Sequence, residues 1–96
     1  LESREDFVKK QAILALGDIG DPQAVDPLIA LLQDDDWMVR LTSASSLEKI
    51  GDLRGRAAIK PLMKDPDLVV RMRIERILAV WKKDGTKETE KEAASA

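Results

Sequence analysis

Asp34, Asp35 and Asp36 form the densest group of hard oxygen donors in the chain. Adjacent carboxylates can hold a divalent cation. A calcium loop, however, needs further oxygen ligands at alternate positions and a glycine at its turn, and this stretch has neither. A short carboxylate ahead of an apolar periodic run does a simpler job. Its oxygen accepts from the free N–H groups of a helix's first turn, and its charge suits the positive end of the helix dipole. The aspartates are therefore expected to start a helix, and no metal is expected. Ser46 and Lys49 match the Ser-x-x-Lys spacing of penicillin-binding enzymes. The companion motifs are missing, and Ser46 falls within a predicted helix, where a small residue lets a neighbouring helix approach. Gly17 and Gly20 bracket a turn that follows a helix rather than a strand, so no phosphate-cradling loop is expected there. The chain has no His and no Cys. It thus lacks the commonest general base and metal ligand, and it can form neither disulfides nor thiolate sites. The expectation is a chain that catalyses nothing and holds no cofactor.

The basic residues are the stronger candidates. Arg56, Lys60 and Lys64 recur every four positions and form one helical stripe, with Arg54 beside it and Ile59 and Leu62 opposite. The net charge of −2 hides an uneven distribution. Residues 1–52 carry 11 acids against 5 bases, and residues 53–83 carry 3 against 9. Arg71, Arg73, Arg76, Lys82 and Lys83 add to the positive field, which would attract an acidic peptide or a phosphate backbone. No aromatic side chain lies among the four bases to stack a nucleobase, so nucleic acid ranks below a protein partner. Arg54, Arg56, Lys60 and Lys64 are the partner-binding candidates.

Such a stripe needs elements to carry it. Ninety-six residues make one domain with a modest core. Apolar content of 44% argues against disorder, and aromatic content of 3% favours helices over a β-sandwich. A shift of 31 positions superposes Val8, Val39 and Val70, the bases Lys9, Arg40 and Arg71, and the leucines Leu16, Leu47 and Leu78. It also superposes Ile19, Ile50 and Trp81, and brings Gly20-Asp21 onto Gly51-Asp52. A gapless period of this length marks stacked structural repeats. Helical periodicity predicts helices over residues 4–19, 35–50 and 66–83, each burying one face. Those faces are Val8, Ala12, Ala15, Leu16 and Ile19; Val39, Ser43, Leu47 and Ile50; and Val70, Ile74, Ile77, Leu78 and Trp81. Ser3, Asp34 and Asp65 are the expected N-caps, with Pro66 at helix entry.

Between them lie two further helical segments, residues 22–33 and 53–64. Their predicted inward residues are Val25, Leu28, Leu31 and Leu32, and Ile59, Leu62 and Met63. Pro27 and Pro61 should make both segments short and bent. Turns of two or three residues impose antiparallel neighbours. Residues 1–85 form the predicted repeat domain, and residues 86–96, without a large apolar side chain, a disordered tail. The outer helices also carry apolar residues off their main faces: Phe7, Ile13 and Leu14 on the first, and Leu68, Val69, Met72, Ala79 and Val80 on the last. A helix apolar on more than one face expects cover on more than one face. At least one end is therefore expected to meet further repeats, another domain or a second copy.

The stretches Leu16-Gly17-Asp18-Ile19-Gly20-Asp21-Pro22 and Leu31-Leu32-Gln33-Asp34-Asp35-Asp36-Trp37-Met38-Val39-Arg40 resemble the HEAT-like repeats, in particular the short-repeat branch of the phycobilisome lyases. The resemblance spans about residues 4–83. It implies an all-α fold: a short right-handed α-solenoid of about two and a half repeats. The first, third and fifth helices would be convex and the other two concave. It implies that Asp34 with Arg40, and Asp65 with Arg71, form ladder contacts along the stack. Glu48 and Lys82-Lys83 depart from the family pattern. Iron-binding relatives use His-Glu pairs, which a chain without His cannot form.

The expected role is a non-catalytic protein-interaction or assembly scaffold. The chain, which begins at Leu1, is read as a module of a larger protein or of a homo-oligomer. Its partner is a protein or a second copy of itself, and its setting the cytoplasm, since no apolar run is long enough to span a membrane. Electrostatic binding of nucleic acid or an acidic ligand is one alternative. An accessory role in a bilin-lyase-type enzyme is another, implied by the resemblance alone.

Overall fold

The computed structural model describes residues 4–86. Helix α1 covers Arg4–Ile19. A 3-10 turn at Pro22–Ala24 leads into α2, Val25–Leu31. Helix α3 covers Trp37–Ile50 and α4 covers Leu53–Ile59. A second 3-10 turn, Lys60–Lys64, precedes α5, Leu68–Val80. The helices form two layers. In the A layer α1 packs on α3 and α3 on α5; in the B layer α2 packs on α4. The layers meet where α2 and α4 pack on α3, and where the 60–64 turn packs on α5. The described residues form a short α-solenoid, with α3 enclosed on both sides.

Four aspartates set the helix starts. Asp21, Asp36, Asp52 and Asp67 each accept from the backbone N–H two residues on, at 2.8–2.9 Å. Asp34 and Asp65 are not N-caps, contrary to expectation. Each instead accepts from the N–H of the true cap, Asp36 or Asp67, at 2.9 Å. That hydrogen bond holds the intervening residue in a turn and delays the helix by two positions. In a run of aspartates every residue can cap, and Pro66 fits a turn as well as a helix entry. The third expected cap, Ser3, lies outside the described residues. The ends are equally local. Gly51 closes α3 in the left-handed region at φ 81°, donating to Leu47 O at 3.0 Å. Helix α5 stops at Val80, short of the predicted 83, because Trp81 turns extended and is fully buried. Thr86 folds back to accept from Lys82 N at 2.7 Å. The rest of the predicted tail lies outside the described residues.

The two B segments break the repeat's symmetry. Pro27 sits in the first turn of α2, where a missing N–H costs nothing, so the 3-10 turn precedes the α-helix. Pro61 comes two residues after Ile59, the last of α4, so there the 3-10 turn follows.

The core contains Val25, Leu28, Leu32, Val39, Leu47, Ile59, Val70, Ile74 and Trp81. Two expected faces need correction. Met63 is 48% exposed, because the 3-10 geometry turns it away from Leu62. On α1, Val8 is 58% and Ile19 72% exposed, with Ala12 and Ala15 also exposed; Ile13, expected outside, is buried. The aligned residues Val39 and Val70 are 2% and 0% exposed. The phase of α1 therefore follows the repeat, but no B-type segment among the described residues lies over that face. What α1 does bury is the side toward α3. There Gly17 and Ser46 touch: a Cβ on Gly17 would lie 2.7 Å from Ser46 Oγ and 2.8 Å from Ser46 Cα. Ser46 Oγ donates to Ile13 O at 2.8 Å. This serine is a helix-packing residue.

Candidate interaction surfaces

The charged residues fall into two groups: those that join repeats and those that face outward. In the first group, Arg40 reaches across one repeat boundary. Its Nε donates to Asp65 Oδ2 at 2.8 Å and its Nη2 to Asp65 Oδ1 at 3.0 Å. Its Nη1 donates to the carbonyls of Asp34 and Asp35 at 2.8 and 3.1 Å. Lys9 makes the equivalent contact one repeat earlier, to Asp34 Oδ2 at 2.6 Å. The pairing implied by the family resemblance is thereby corrected. Each aspartate offers its carboxylate to the base of the preceding repeat and its backbone carbonyl to the base of its own. Arg71 makes the second of these, Nη1 to Asp65 O at 2.7 Å.

These contacts set the electrostatics of the aspartates. Hydrogen bonding from Arg40 holds the Asp65 carboxyl below its usual value, against the opposing effect of burial. Lys9 does the same for Asp34. Among the described residues no group of three or more carboxylates gathers to hold a metal ion, and Asp34 and Asp36 are spent on capping and pairing.

The basic stripe divides in two. Arg54 folds onto its own cap residue, with Nη2 3.0 Å from Asp52 Oδ2, and lies 3.6 Å from Asp26 on α2. Arg56 is half-buried and its Nε donates to the Trp81 carbonyl at 2.6 Å, satisfying the group where α5 ends. Both arginines therefore tie elements together. Lys60 and Lys64 face solvent, and with Ala57, Pro61 and Met63 they line a shallow groove on the outer side of the B layer. The sequence pattern placed Met63 inward because it kept α-helical spacing beyond the bend expected at Pro61, where the chain instead takes 3-10 geometry.

The end faces differ from each other. On α1, Phe7 and Leu14 are exposed, as is the Val8–Ile19 stripe. On α5, Leu68, Val69 and Met72 are exposed beside Arg73 and Arg76, and Val80 is half-buried. No helix among the described residues is long and apolar enough to cross a membrane.

A model for HEAT repeats matches residues 1–79. The chain is similar to the "phycocyanobilin lyase subunit alpha" of Picosynechococcus sp., 39% identical over 56 residues, 58% of this chain and 21% of that protein. It is similar to the protein of that name from Synechococcus elongatus, 39% over 57 residues, 59% of this chain and 20% of the relative. The "uncharacterized phycocyanin operon protein Y" of Pseudanabaena tenuis is 37% identical over 60 residues, covering 62% of this chain and 14% of that protein. The matched region spans about a fifth or less of these relatives. No solved structure matches significantly.

Proposed function

This chain belongs to the HEAT repeat family, and we propose that it is a non-catalytic protein-interaction module, one segment of a larger protein or assembly. The groove of Ala57, Lys60, Pro61, Met63 and Lys64 carries this reading. An exposed thioether between two lysines suits an acidic segment that also offers an apolar side chain: Met adapts its shape, and the ammonium groups draw the acid in. Of the four bases first considered, Lys60 and Lys64 are the ones proposed to contact a partner, because Arg54 and Arg56 are engaged within the fold.

The test compares proteins captured by the wild-type chain with those captured by a Lys60→Glu, Met63→Asp, Lys64→Glu variant. All three residues are exposed, so the variant should melt like wild type. Proteins retained by wild type should be lost from the variant. Identical captured sets would overturn the reading.

The similarity to lyase subunits favours a second reading, an accessory role in a lyase-type enzyme. It predicts an absorbance change when phycocyanobilin is added to the chain, and an unchanged spectrum removes it. Nucleic-acid binding is the weaker alternative, since two of its four residues have internal partners.

A further inference from the structure

Between Arg4 and Ile19 the 31-residue shift produces four columns that are apolar in all three copies. Three of them supply the core in the second and third copies: Val39 and Val70, Leu47 and Leu78, Ile50 and Trp81. The fourth is Phe7, Met38 and Val69, and its members are 56%, 37% and 49% exposed. It lies nine positions, about two and a half turns, from the leucine column, and so on the opposite side of each helix. Leu47 faces the B layer, where a Cβ on Gly55 of α4 would lie 3.0 Å from its Cδ2. The Phe7, Met38 and Val69 row therefore crosses the outer side of the A layer, near the start of each helix. Trp37 and Leu68, one position earlier, widen it and are 38% and 59% exposed. A single exposed apolar side chain is ordinary, but a column that is apolar and exposed three times is a contact surface that packing within the stack does not use.

We propose that the row Phe7, Met38 and Val69 is the docking ridge for a basic amphipathic helix of a partner protein, laid across the starts of α1, α3 and α5. Spacing favours a helix. Neighbouring helices in one layer lie about 8–10 Å apart, and seven residues of an α-helix rise about 10.5 Å. A partner helix with apolar residues at heptad spacing thus meets one A helix per heptad. Charge sets its polar edge. The column beside the ridge is acidic in every copy, Glu5, Asp36 and Asp67. Asp36 and Asp67 are fixed there as helix caps, and Glu5 is exposed. Lys10 offsets Asp36 in part, at 3.4 Å. The column before it, Arg4, Asp35 and Pro66, is neutral in sum. An anionic membrane surface is disfavoured by the same acidic column. A second copy is disfavoured by area: a strip of about 20 Å by 10 Å falls far short of the roughly 800 Å² per partner of a stable dimer. This inference rests on the reading of the chain as an interaction module, but its surface and its charge preference are opposite to those of the Lys60–Lys64 groove.

The test titrates a synthetic Trp-free helical peptide of about 18 residues into the full chain, with leucine at heptad spacing and lysine along one edge. Trp37 sits on the ridge and Trp81 is fully buried, so tryptophan emission reports the site. A saturable blue shift is expected. Met38→Asp should melt like wild type, because the position is exposed and an acid suits a helix start. It should weaken peptide binding roughly tenfold or more, as loss of an interface anchor does. The same peptide with glutamate in place of lysine should bind about tenfold more weakly or worse. The Lys60→Glu, Met63→Asp, Lys64→Glu variant should bind the lysine peptide like wild type. No blue shift, or equal binding of the lysine and glutamate peptides, would overturn the ridge and leave the Lys60–Lys64 groove standing. A shift produced by vesicles of phosphatidylcholine and phosphatidylglycerol would assign the row to a lipid surface. A shift on raising the protein concentration without peptide would assign it to a second copy. Either result overturns the proposal.

Discussion

Arg40 and Asp65 clasp the second and third A helices through two parallel hydrogen bonds, 2.8 and 3.0 Å long, between residues 25 positions apart. Asp65 is 4% exposed, so neither group can readily exchange its partner for water. Removing one member of a buried pair leaves the other charge stranded. Asp65→Ala should therefore destabilise the fold by roughly 3 kcal/mol, as breaking buried pairs does. Urea unfolding at neutral pH measures this. A loss no larger than that from an exposed pair such as Lys49–Asp18 would show that Arg40 is well solvated after all.

The same pair should make stability depend on pH. The Asp65 carboxyl is held low, first by the hydrogen bonds from Arg40. A carboxyl lowered in the folded state stabilises the fold above its unfolded value of about 3.9, and the effect disappears as pH falls through the folded value. Between pH 6 and pH 3 the wild type should lose more stability than Asp65→Asn. Parallel stability curves for the two would contradict this.

The helix starts give a smaller effect that locates the caps. Asp67→Ala should cost about 1 kcal/mol through the lost cap, with the same expected of Asp36→Ala. Thermal melts would distinguish these from the larger loss at Asp65. Equal losses at Asp65 and Asp67 would mean that Asp65 contributes no more than a turn.

Gly17→Ala tests the closest approach of α1 and α3. Alanine is favoured over glycine in an isolated helix by about 1 kcal/mol. Here its Cβ would meet Ser46 Cα at 2.8 Å, and a backbone atom cannot swing aside. A net loss of about 1–3 kcal/mol is expected, as for other overpacked sites. Ser46→Gly should rescue it only in part. A stabilised Gly17→Ala would show that the helices can part at small cost.

Leu47→Ala should cost about 2–5 kcal/mol, the usual range for deleting a buried leucine side chain. Val8→Ala should fall within about 0.5 kcal/mol of wild type, as exposed substitutions do. Chemical denaturation of both checks that the second copy of the A helix is packed where the first is open. Comparable losses would mean that α1 is covered in solution.

The repeat itself was legible because it is written in local chemistry: apolar side chains at helical spacing, a glycine after each of the first two A helices and aspartates ahead of the last two. The position of Val8, Val39 and Val70 on one face followed directly from the 31-residue shift. Whether that face is buried did not follow, because burial depends on the neighbour and not on the helix. Val39 has α2 against its helix, whereas Val8 has no counterpart of α2 among the described residues. The cap positions failed for a different reason. Asp34, Asp35 and Asp36 have the same capping chemistry, and only backbone geometry selects among them. The four bases fall on α4 and the 3-10 turn after it, and the spacing of Arg56, Lys60 and Lys64 could not reveal that the Trp81 carbonyl draws the arginine inward.

Helix α1 leans chiefly on a single neighbour, α3, whereas α3 is gripped from both sides. Free energies of opening should therefore be graded along the chain rather than uniform. Amide protons of α1 should exchange with deuterium first, through a partial opening that leaves α3 and α5 paired, and those of α3 should persist until the whole domain unfolds. An occupant on the Val8 stripe would erase that gradient, so the exchange pattern alone would report whether the stack is complete.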